Sequence, residues 1–89
     1  MSAKKVRPPA ERAVRKIERE RKDIIVMEGD GWAEIARGAI LVDYATHQLT
    51  CEQLEVWQIM PRETPAQAWE SRILELVAMI EAKRDITKS

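Results

Sequence analysis

Asp30–Gln48 reads D-G-W-A-E-I-A-R-G-A-I-L-V-D-Y-A-T-H-Q, and the rest of the chain has to be arranged around it. It is the most apolar stretch. Its hydrophobic residues run nearly all the way round a helix instead of forming one stripe. A helix apolar on every side must be covered on several sides, so the segment predicts a central helix over 31–47. Gly38 costs that helix about 1 kcal/mol relative to alanine. With Ala33, Ala36, Ala39 and Ala45 it offers a surface of small side chains to a close neighbour. Gly29-Asp30-Gly31 breaks the chain just before it, with Gly29 placed to follow a helix end and Asp30 to cap the next start. For residues 24–35 a hairpin turning at Gly29–Gly31 is the competing reading. Helix is preferred because no second strand alternates cleanly after Trp32.

Upstream, a helix over about 10–27 starts where Pro9 suits the first turn. Ala10, Ala13, Val14, Ile17 and Ile24 share one side, and Arg12, Arg15, Lys16, Arg19 and Lys22 the other. Arg21 falls within the apolar side, where a snorkelling stem or an ion pair with a buried carboxylate would account for it. Ile24-Ile25-Val26-Met27 is ambiguous, since its β-branched residues also suit a short strand.

Downstream, Leu49-Thr50-Cys51-Glu52-Gln53-Leu54 has the spacing of a capping box with a hydrophobic staple. It predicts a helix over 51–60, with Leu54 and Trp57 inward. Thr64-Pro65-Ala66-Gln67 repeats the device and predicts a last helix over 65–85, with Ala66, Trp69, Ile73, Leu76, Val77 and Ile80 on one face. The expectation is an all-α, single-domain bundle of about four helices around the segment 30–48. Residues 1–9 form a flexible basic arm, and 10–89 the domain. The three tryptophans are expected to meet in one core, or else one of them to serve as a surface anchor for a partner.

With 89 residues, 45% apolar and 34% charged, the chain has the composition of one small globular domain. Neither a signal peptide nor a membrane-spanning run is legible. A lone cysteine, Cys51, excludes an internal disulfide and fits a reducing compartment; the expected location is cytoplasmic, with no membrane partner. The formal net charge of zero hides a division. Nine bases against three acids up to Lys22 give +6, and six bases against twelve acids beyond it give −6. Such a split either joins two parts of one molecule or presents a basic arm to an acidic partner.

Chemistry is thinly represented. Cys51, His47 and Asp43 are the only residues available for a nucleophile–base–orienter set, and no glycine-rich oxyanion segment accompanies them. One Cys and one His do not supply a structural zinc site. Gly29-Asp30-Gly31 is too short to cradle phosphates, and its aspartate would repel them. The sequence therefore predicts no catalytic residues, no metal and no cofactor. A helix-turn-helix on Glu34–Trp57 fails because the 51–60 segment has no base to enter a groove.

The remaining candidates are Arg12, Arg15, Lys16, Arg19 and Lys22, as contacts for protein or nucleic acid. The expected function is a small helical protein-binding factor without enzymatic activity. It would act as adaptor, regulator or inhibitor of a protein target, a kind of chain common among accessory factors of bacteria, phages and mobile elements. The alternative is a nucleic-acid-associated protein that binds through its basic N-terminal helix. A homodimer is compatible with both.

Overall fold

The structure, a computed structural model, describes residues 7–88. It is an α+β fold, which overturns the all-α helical bundle. The order is α1 (Pro9–Glu20), β1 (Val26–Gly29), β2 (Trp32–Ile35), β3 (Ile40–Asp43), β4 (Gln48–Cys51), a short 3₁₀ turn (Glu52–Leu54), β5 (Val56–Ile59) and α2 (Ala66–Lys88). The five strands form an antiparallel meander, each paired with its neighbour in sequence. Both helices lie over the same face of this sheet.

The segment 30–48 is two strands and their turns, not a central helix. Ala33 and Ile35 of β2 pair with Val42 and Ile40 of β3, and all four are fully buried beneath the helices. Leu49 and Cys51 continue this layer on β4, opposite Val42 and Ile40. The alternation that marks a half-buried strand is present, but Trp32 and Leu41 on the other face are apolar too. A strand apolar on both faces mimics a helix apolar all round. The turn signal is also hidden. Between β2 and β3 the backbone takes left-handed angles at Ala36, Arg37 and Gly38, and two of these three are not the glycine such angles favour. The Ala36 N–H donates to the Ile25 carbonyl at 2.9 Å, which ties this turn to the start of β1.

Helix α1 begins as expected and buries Ala10, Ala13, Val14 and Ile17, but it stops at Glu20 and not near residue 27. Arg21 closes it with an N–H bond to the Ile17 carbonyl. Its guanidinium pairs with exposed Asp23 at 2.8 Å and not with a buried carboxylate. Val26-Met27, read as a helical continuation, belongs to β1, so the hairpin across Asp30-Gly31 is the reading that holds.

The 51–60 helix is likewise corrected. Thr50 pairs with Trp57 across β4 and β5, and only a single 3₁₀ turn, without a side-chain cap, follows at Glu52–Leu54. Left-handed Glu55 (φ 55°) then reverses the chain. The last helix carries the expected face: Trp69, Ile73, Leu76, Val77 and Ile80 are all buried. They meet α1 and the inner sheet face in one core with Ile24 and Met60. Of the three tryptophans only Trp69 enters that core. The reading of residues 1–9 as a basic arm falls largely outside the described residues; of these nine, Pro9 already opens α1.

Candidate functional site

Among the described residues, no element covers the face of the sheet turned away from the helices. Two rows of side chains cross it. One runs Met27, Glu34, Leu41, Thr50, Trp57 through successive strand pairings. The other runs Gly29, Trp32, Asp43, Gln48, Ile59. With strands about 4.8 Å apart, each row spans roughly 19 Å. Large apolar groups on it stand in solvent: Met27 is 57% exposed, Leu41 39%, Trp57 64% and Ile59 74%. Large exposed apolar patches on soluble domains mark interaction surfaces.

Local geometry fixes parts of this face. Gly29 stands opposite Trp32, and a Cβ built on Gly29 would lie 2.5 Å from the indole Cε2 and Cζ2 atoms. The indole therefore lies directly over the glycine backbone, the device by which an aromatic covers a weak edge-strand position. Asp43 ends β3 and accepts N–H bonds from Ala45 at 2.9 Å and Thr46 at 3.1 Å. The Thr46 bond, aided by that from Ala45, holds its carboxyl below the usual carboxylate range. Glu34 and Asp43 are the only charged side chains in the two rows, so the face is apolar with an acidic tint.

Trp57, the most prominent aromatic of this face, was expected inside a helix bundle. Leu41 was expected within the central helix over 31–47. What the sequence did not reveal is that these residues, with Met27 and Ile59, align on one surface, because their alignment depends on strand pairing.

Four of the five basic residues singled out in the sequence lie on the other side of the molecule, on α1. Arg12 and Arg19 are exposed, and with Arg15 and Lys16 they line a groove of about 810 Å³ between α1 and α2. Two are already engaged: Arg15 donates to Glu11 at 3.1 Å, and Lys16 bonds Glu70 of α2 at 3.2 Å. The Glu11 bond raises the Arg15 pKa. Lys22 lies beyond the end of α1 and does not line the groove. The basic helix thus packs on the domain through its apolar side and does not extend from it.

Cys51, His47 and Asp43 are not assembled into a reactive set. Cys51 is fully buried on the inner face of the sheet. Asp43 belongs to the outer face, and His47 sits in the β3–β4 turn with φ 57°. Four residue steps along the strand place His47 and Cys51 about 13 Å apart. Among the described residues no three His, Cys, Asp or Glu side chains converge as metal ligands, and no helix is long and apolar enough to cross a membrane. Comparison with protein families, with characterised proteins and with solved structures returns no match to this chain.

Proposed function

We propose that the chain is a non-enzymatic protein-binding factor, an adaptor, regulator or inhibitor, that engages its target through the open face of the sheet. The observation that supports this reading is the exposure of Met27, Leu41, Trp57 and Ile59 on one face of the sheet. Tryptophan and methionine are enriched at interface centres, where a desolvated ring supplies much of the binding energy. The chemistry of the face also describes its partner. With Glu34 and Asp43 as its charged groups, it suits an apolar protein surface that carries a basic residue. It repels a phosphate backbone, and pressing two copies together would oppose like charges.

The test is retention of proteins from a host lysate by the immobilised chain, compared with a Leu41→Asp/Trp57→Ala variant. The reading requires a protein held by the wild type and lost by the variant, with the purified pair binding directly. Identical retention by both overturns it.

A further inference from the structure

We propose that the opposite side of the molecule holds a site for single-stranded nucleic acid, gripped by its phosphates along a track that begins at Arg62 and His47 and follows α1. Arg7, Arg12, His47 and Arg62 come from the lead-in to α1, from α1 itself, from the β3–β4 turn and from the approach to α2. They converge on a hollow of about 470 Å³ whose lining includes no carboxylate. That absence is informative in a chain with twelve acids beyond Lys22. Arg12 and Arg62 are exposed and make no ion pair with any described residue, whereas Arg7, Arg15, Lys16 and Arg21 each do.

The hollow is one end of a longer surface. Arg7 and Arg12 also line the groove between the helices, which continues past the Lys16–Glu70 ion pair to Arg19. Arg12 and Arg19 are two turns apart on one side of α1, about 10 Å along its axis. With Arg62 at the far end of the hollow, Arg12 and Arg19 make three arginines without an ion pair to any described residue, enough to meet about three phosphates of one strand. The extended form favours a strand over a single phosphate ion. Guanidinium forks suit phosphate oxygens. The wall of the hollow adds Pro8, Pro9 and Tyr44, flat surfaces on which a base or sugar can rest. The Tyr44 hydroxyl is anchored to Glu28 at 3.2 Å, so its ring is held in place. The site shares no residue with the two rows of the apolar face, although Asp43 at the border of that face lies within electrostatic reach of His47.

The experiment is fluorescence anisotropy of a labelled 20-nucleotide poly-dT or poly-U strand with the full chain, at 50 and 200 mM salt. Contact with about three phosphates predicts a roughly 20-fold loss of affinity across that range. Arg12→Ala/Arg62→Ala, both exposed positions, should weaken binding at least tenfold at 50 mM salt and flatten the salt dependence. Arg37→Gly, which removes an exposed arginine from the remote β2–β3 turn, should leave binding unchanged. Absence of salt-sensitive binding, or equal loss in the Arg37 variant, overturns the proposal. So does displacement of the strand by polyglutamate as readily as by unlabelled oligonucleotide, which would make the track a dock for acidic proteins. Retention of a protein partner is read on Leu41 and Trp57, so either proposal can fail while the other stands.

Discussion

Gly29 shows how much a single position can depend on a neighbour that sequence does not identify. In an edge strand, alanine would ordinarily be preferred to glycine for entropic reasons. Here the added methyl would collide with the Trp32 indole. Gly29→Ala is therefore expected to destabilise the domain by about 1 kcal/mol, as overpacking does, and to shift the tryptophan emission; urea titration with fluorescence detection measures both. Asp43 is a second such position. Its carboxyl titrates below the ordinary range because backbone N–H groups of Thr46 and Ala45 stabilise the charged form. A carboxyl lowered in the folded state stabilises the fold above its unfolded value, near 3.9. That contribution is lost as pH falls through the lower folded value. Asp43→Asn keeps an acceptor for the turn without the charge. Its stability should therefore fall less steeply than that of the wild type below about pH 4, as acid titration followed by circular dichroism would report; parallel curves would exclude Asp43 as a source of acid sensitivity.

Among the elements, the helices were legible and the strands largely were not. The Ala10–Ala13–Val14–Ile17 side of α1 and the Trp69–Ile73–Leu76–Val77–Ile80 face of α2 follow a period of 3.6, a property of one segment alone. Thr50–Gln53 followed an equally local rule and misled, because Thr50 finds its partner in Trp57 on the next strand. Local capping contributes about 1 kcal/mol, which a paired strand with Leu49 and Cys51 buried beneath the helices readily exceeds. Placing Cys51 in a strand has a measurable consequence. As a helix N-terminal thiol it would be activated; as a core residue of β4 it is sealed. The folded chain should resist a thiol reagent at neutral pH and react fully in urea, with a rate that follows unfolding. Rapid labelling of the native protein would contradict the position of β4.

At the scale of the molecule, the sheet separates two surfaces of different chemistry, an open apolar face and a basic groove between helices. The three tryptophans divide accordingly. Trp69 is buried and Trp57 is 64% exposed, so Trp69→Ala should cost roughly 3–5 kcal/mol while Trp57→Ala changes stability by about 0.5 kcal/mol or less. Comparison of the two in thermal unfolding, beside the partner-retention assay, separates a residue kept for the fold from one kept for binding. The same division explains why the candidate face was hard to see. Met27, Trp32, Leu41, Trp57 and Ile59 blur the inside–outside alternation of every strand that carries them. The residues that disguised the strands as helices are those that make the open face apolar.

The sequence by itself determined the features that depend on near neighbours: two amphipathic helices, the break at Gly29–Gly31, the basic side of α1 and the division of charge. Tertiary structure alone decided which strands pair, which of two apolar faces is covered, and that Arg7, Arg12, His47 and Arg62 share one hollow. The reason is physical. Helical hydrogen bonds and periodicity close within four residues, whereas a strand acquires its partners, and its exposed face, only from segments elsewhere in the chain.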